Sequence, residues 1–68
     1  MKKIYLENYI KAYERHFKVD YNKRSDLTFK RVEDAGCLLD RYFPEEFKEA
    51  TAYITAYKKC KELLKLAQ

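Results

Sequence analysis

One glycine, Gly36, and one proline, Pro44, are all that the 68-residue chain contains of the two strongest chain-breaking residues. An all-β fold reverses direction every few residues, and glycine and proline supply many of the backbone conformations those turns need. With one of each, the chain has few places to turn and long stretches where nothing interrupts a helix. The expected fold is all-α: a compact three-helix bundle forming one small domain over residues 1–68.

The spacing of apolar residues agrees. From about Lys2 to Lys18, Leu6, Ile10, Tyr13 and Phe17 recur at i, i+4, i+7 and i+11, which is one face of a helix. Tyr5, Tyr9, Ala12 and His16 form a second stripe beside it. Lys3, Glu7, Lys11, Glu14 and Lys18 fill the opposite side, with Glu7 before Lys11 and Glu14 before Lys18 in the favourable order for helical ion pairs. The period lapses from Val19 to Asp26, where Asp20, Asn22, Ser25 and Asp26 favour turns and caps. Either Ser25 or Asp26 can cap the next helix. Phe17, Val19 and Tyr21 alternate, as do Leu27 and Phe29, so a short hairpin through Asn22–Ser25 is the rival reading of residues 17–29.

A second helix is expected over 26–42, with Phe29, Val32, Gly36, Leu39 and Phe43 on its buried stripe and Ala35, Leu38 and Tyr42 widening it. Gly36 there implies either close approach of another helix or a C-cap that splits the segment. Pro44 disfavours helical geometry at Phe43 and suits the first position of a new helix, so a steep turn is expected at Phe43–Pro44. The third helix is expected over 44–66. Glu45, Glu46 and Glu49 lie near its start and Lys58, Lys59, Lys61 and Lys65 near its end, the order that complements a helix dipole. Its expected buried stripe is Phe47, Ala50, Ile54 and Tyr57, joined by Tyr53, Cys60 and Leu64.

Much chemistry is excluded on inventory. Phosphate-cradling loops need several glycines. A structural zinc site needs four Cys or His ligands, and the whole supply is Cys37, Cys60 and His16. His16 sits on a tyrosine stripe, where packing is its expected role, and the carboxylate clusters lie beside lysines or at helix starts, where their expected role is solvated charge that complements the helix dipole. The expectation is therefore no enzyme, no catalytic residues, no metal, no cofactor and no small-molecule substrate. The longest apolar run, Ala35–Leu39, is far short of the roughly 20 residues of a membrane span. Lys2 and Lys3 before Ile4-Tyr5-Leu6 resemble the start of a secretory leader, but Glu7 and Asn8 end the apolar stretch. A cytosolic chain is expected, with Cys37 and Cys60 both reduced and buried.

Charge and tyrosines carry what functional signal there is. The net charge of +4 is concentrated in residues 1–24, which hold seven Lys/Arg against three Asp/Glu. Seven tyrosines and four phenylalanines are more aromatic rings than so small a bundle can bury, and exposed tyrosines favour protein interfaces. The first expectation is a non-enzymatic interaction or regulatory protein that binds another protein, or itself as a homo-oligomer. Tyr5, Tyr9, Tyr53 and Tyr57 would form its contact surface, with Arg15 and Lys18 as steering charges. The alternative is a small nucleic-acid-binding regulator whose Arg15, Lys18, Lys23, Arg24, Lys30 and Arg31 converge on phosphates near the first loop. By composition alone, short Lys/Glu/Tyr-rich helical chains of this kind are common among accessory factors and inhibitors of bacteria and phages, an analogy of class and not of fold.

Overall fold

A computed structural model describes residues 3–49 and 52–67. The chain forms α1 (Lys3–Phe17), a 3₁₀ turn (Tyr21–Lys23), α2 (Asp26–Tyr42), a single-turn α3 (Pro44–Phe47) and α4 (Tyr53–Ala67). Among the described residues there is no strand. The radius of gyration, 11.6 Å, is close to the roughly 11 Å of a compact chain of this length. The fold is an all-α bundle.

The helix boundaries follow from local chemistry. Ser25 caps α2 with a reciprocal pair: its Oγ accepts from the Thr28 N–H, and Thr28 Oγ1 accepts from the Ser25 N–H, each at 3.2 Å. Two N-terminal donors are satisfied by one box. The stretch before it forms no hairpin. Lys23 N–H donates to Asp20 O at 2.8 Å and Arg24 N–H to Tyr21 O at 3.1 Å, which tightens it into the 3₁₀ turn. Arg24 then fastens the turn to α1 through a 3.0 Å bond from Nη2 to Phe17 O. At the other end of α2, one residue does two jobs. Phe43 donates to Leu39 O at 2.8 Å, closing α2, and accepts from Phe47 N–H at 3.1 Å, opening α3 with Pro44 at its first position.

The expected third helix is not continuous. α3 ends in a turn at Lys48–Glu49, and α4 starts at Tyr53, with Ala52 O accepting from Ala56 N–H. The helical period explains the break. Cys60 follows Phe47 by thirteen positions, a rotation of about 220° in a straight helix, so the two would face nearly opposite ways. Both are buried, and the interruption lets each reach the core. The buried stripe shifts accordingly to Ala56, Tyr57 and Cys60, flanked by Leu63 and Leu64. Ile54, expected inside, stands about 120° from Cys60 around the axis and is 45 % exposed. Ala50, also placed on that stripe from the sequence, lies outside the described residues.

α1 is the central element. Both of its apolar stripes are used, one on each side. Tyr5 and Ala12 lean toward α2, Phe17 packs against Tyr53 of α4, and Leu6, Tyr9, Tyr13 and His16 are buried along the seam between the stripes. Val32, Ala35 and Leu39 close the core from α2. α2 runs antiparallel to α1, with Tyr5 stacked on Tyr42 at one end and His16 bonded to Thr28 at the other. Two further expectations are corrected here. Cys37 is an exposed free thiol on α2, not a core residue, while Cys60 is fully buried. Gly36 lies in the interior of α2 and is neither a cap nor a tight crossing. A methyl added there would meet only Tyr9 Cε2, at an ordinary 3.6 Å.

Urea denaturation of three variants tests this packing. Leu39→Ala removes a side chain of the innermost core and is expected to cost about 2–5 kcal/mol. Ile54→Ala, at an exposed helical site, is expected to change stability by less than about 0.5 kcal/mol. Gly36→Ala adds a methyl in ordinary contact with Tyr9 in a helix interior and is expected to stabilise by about 0.5–1 kcal/mol. Equal losses at Leu39 and Ile54 would contradict the described burial.

Candidate functional site

The four tyrosines singled out as a contact surface separate into different environments. Tyr9 and Tyr57 are 1 % and 4 % exposed, so neither can present its ring to a partner. Their hydroxyls work inside the fold. Tyr9 donates to Tyr53 O at 3.2 Å, and Tyr57 donates to Glu14 Oε2 at 2.6 Å. Burial pushes the Tyr9 phenol well above its ordinary range. Tyr57 also stacks on Tyr13, with centroids 4.1 Å apart. Tyr5 is half-buried against Tyr42, with ring centroids at 4.3 Å, and the Tyr42 hydroxyl raises the Tyr5 pKa. Tyr53 keeps an exposed edge beside Phe17 and Phe29. The expected single tyrosine patch is therefore not formed.

The six basic residues also divide. Lys18 Nζ lies 5.0 Å from the centroid of the Tyr57 ring, and Lys61 Nζ lies 4.8 Å from it and 3.9 Å from Glu14 Oε2. The Tyr57 hydroxyl holds the Lys18 ammonium above the usual lysine range. Lys18 thus serves the α1–α4 seam. Arg24 turns inward: besides its bond to Phe17 O, its guanidinium sits 5.8 Å from the Phe17 centroid and 5.4 Å from that of Tyr21. Its Nε is buried with no protein partner. Lys23 is exposed on the 3₁₀ turn and Lys30 on α2. Convergence of all six at the first loop is corrected by these positions.

Arg15 and Arg31 do meet, and they meet with a residue that the sequence reading placed among ordinary solvent-facing charges, Lys11. All three line a groove of about 300 Å³ between α1 and α2. Its floor is apolar, built from Ala12, Ala35 and Leu38, and Asp34 is its single acid. The antiparallel register sets this up. The stripe Ile4, Asn8, Lys11, Arg15 on α1 and the stripe Leu27, Arg31, Asp34, Leu38 on α2 both repeat at i, i+4, i+7 and i+11. The first spacing was visible in the sequence. The pairing of the two stripes depends on which helix lies beside which, and no local pattern carries that. On the other flank of α2, a cleft of about 250 Å³ opens toward α3 and α4, with Tyr9, Leu39 and Phe47 at its base and Glu33, Asp40 and Cys37 at its edge.

Two of the candidate reactive side chains, His16 and Cys60, are held in packing roles. His16 Nδ1 lies 2.7 Å from Thr28 Oγ1, whose own hydroxyl donates to Ser25 O at 2.9 Å. Through this contact the imidazole locks α1 to the α2 cap. Burial pushes the Cys60 thiol from 9.0 up to about 12, the opposite of an activated nucleophile. Among the described residues, no group of three His, Cys, Asp or Glu side chains could hold a metal ion, and no helix is long and apolar enough to cross a membrane. Compared with known proteins, the chain matches no family model, no curated protein sequence and no solved structure.

Two measurements check these environments. In a thiol-labelling time course, exposed Cys37 should react in the folded protein and Cys60 only after unfolding. The raised Cys60 pKa also fixes a sign: the unfolded chain loses this proton first, so stability should fall as pH rises from about 9 toward 12. Cys60→Ala should remove that part of the decline. Separately, Tyr57→Phe keeps the stacked ring and deletes the hydroxyl bonded to Glu14. It should cost about 1 kcal/mol in chemical denaturation.

Proposed function

We propose that this chain is a non-enzymatic interaction protein that binds another protein through the outer faces of its helices. The observation that carries the reading is the amount of large apolar side chain left at the surface by so small a core. Leu27 is 60 % exposed, Tyr21 83 %, and Ile4, Tyr53 and Ile54 lie between 40 % and 45 %. Large apolar and aromatic side chains at the surface are the kind that supply the contacts of protein interfaces. The buried, proton-retaining Cys60 and the structurally committed His16 supply no nucleophile–base pair that would favour catalysis instead.

The chain remains basic overall, so nucleic acid is the partner class to test against. Arg24 and Lys18, two of the six expected phosphate contacts, are occupied by intramolecular partners. Two experiments together decide. Photo-crosslinking from a benzophenone amino acid at Leu27 or Tyr53, in nuclease-treated host cells, should give protein adducts that are absent when the label sits at Glu62. Titration of a short DNA duplex at about 150 mM salt should show no more than non-specific binding, with Kd of about 10⁻⁴–10⁻⁶ M. Sub-micromolar duplex binding with a steep salt dependence, and no position-dependent protein adduct, would overturn the proposal.

A further inference from the structure

We infer that the groove between α1 and α2 is a docking site for an acidic amphipathic helix of another protein. The inference rests on the protein-binding reading above and names the surface and the chemistry of the partner. Three features of the groove point the same way.

The first is shape. α4 packs against one side of α1, while α2 lies along another. The outer side of the α1–α2 pair is left with no helix of this chain over it. Small residues, Ala12 and Ala35, form its floor. Small side chains at a seam leave a shallow trough whose walls are the neighbouring longer side chains. A helix laid in such a trough inserts apolar residues at i, i+3, i+4 and i+7. Half-buried Leu38 adds to that floor, and exposed Leu27 lies one turn beyond Arg31 on the same α2 stripe, at the end of the groove.

The second is charge. Lys11, Arg15 and Arg31 line the groove against the lone Asp34. Among the described residues, the ion pairs are Lys48–Glu45 and Lys61–Glu14, so none of the three groove cations is in one. Cations gathered around an apolar floor without carboxylate partners match a ligand with an apolar stripe and acidic flanks. A phosphate backbone would satisfy the cations and leave the floor uncovered, which favours a peptide over nucleic acid.

The third excludes a second copy of this chain as the occupant. A two-fold dimer on this face would set the same patch against itself, bringing Lys11, Arg15 and Arg31 of the two copies together. The net charge of +4 adds long-range repulsion to that contact.

The test uses the intact protein and a defined probe. The probe is a fluorescein-labelled peptide of about 18 residues, long enough to be helical when bound, with leucines at i, i+3, i+4 and i+7 and glutamates on both flanks. A matched peptide carries lysine in place of every glutamate. Fluorescence anisotropy should show the acidic peptide binding at least about tenfold more tightly at about 150 mM salt. Arg15→Glu combined with Arg31→Glu should abolish that preference, and Leu27→Ser should weaken binding of the acidic peptide. Intact labelling protection of Cys60 shows that each variant is folded. Amide shifts in a two-dimensional NMR titration should map to residues 8–15 and 27–38 and spare α4. Equal binding of the two peptides, an unchanged preference in the double variant, shifts centred on α4, or displacement of the acidic peptide by a 16-base-pair duplex at low micromolar concentration would each overturn the inference. If those results arise while Leu27 or Tyr53 still crosslinks to protein in cells, the protein-binding reading survives and only this assignment of surface and partner falls.

Discussion

The stacking of Tyr13 on Tyr57 is the contact on which the arrangement of the helices depends. α2 and α4 barely touch each other; each is held by α1. On the α2 side the chain itself helps, because a short connection forces the two helices to be neighbours. On the α4 side there is no such help, since α4 is reached only after α2, α3 and the segment between α3 and α4. What fixes α4 is therefore chemical and non-local. The stack is closed by the Tyr57–Glu14 bond, and the Tyr9 hydroxyl holds the first residue of α4 through Tyr53 O. Rings suit this role in a 68-residue domain. Each covers a large area with only two side-chain torsions to order, and offset stacking adds about 0.5–1.5 kcal/mol beyond the burial. The high tyrosine content follows from that need more than from a surface function.

This also shows what was legible in the sequence. The helical class, α1 and α2 with their cap and terminator, and the loopless junction at Phe43–Pro44 were all readable, because each is encoded within a few residues. The break between α3 and α4 was not. Phe47, Ala50, Ile54 and Tyr57 make an acceptable helical stripe, and no glycine or proline marks an interruption. The decision lies in the tertiary preference for burying Phe47 and Cys60 at once. The tyrosines misled for a related reason. A tyrosine hydroxyl that finds a carbonyl or a carboxylate can be buried without penalty, and those acceptors for Tyr9 and Tyr57 lie 44 and 43 positions away in the chain. Charge was partly legible: Arg15 and Arg31 were identified as functional candidates, but their companion Lys11 was assigned to a helical ion pair with Glu7 that the structure does not form.

α2 illustrates how one amphipathic helix can divide a surface by charge. Its flank toward α4 carries Glu33 and Asp40, and its flank toward the outer side of α1 carries Arg31. Because α1 contributes Lys11 and Arg15 only on that outer side, the two grooves beside α2 have opposite electrostatic character. A net charge of +4 therefore understates the difference a partner would encounter at each.

Arg15 and Arg31 line one groove with no carboxylate bonded to either, so the free protein retains a like-charge repulsion there. At physiological salt the screening length is about 8 Å, which weakens this repulsion without removing it. Core residues are selected to lower the energy of the free fold, and three cations around an alanine floor do not do so. Between solvent-exposed side chains that repulsion costs only a few tenths of a kcal/mol per pair, and Asp34 in the same groove offsets part of it, so a domain with a total stability on the order of 5 kcal/mol tolerates it. On the docking reading, an acidic helix removes the cost: a ligand present at about 100 times its Kd stabilises the fold it binds by about 2.7 kcal/mol. Folding and binding would then draw on the same three side chains with opposite sign.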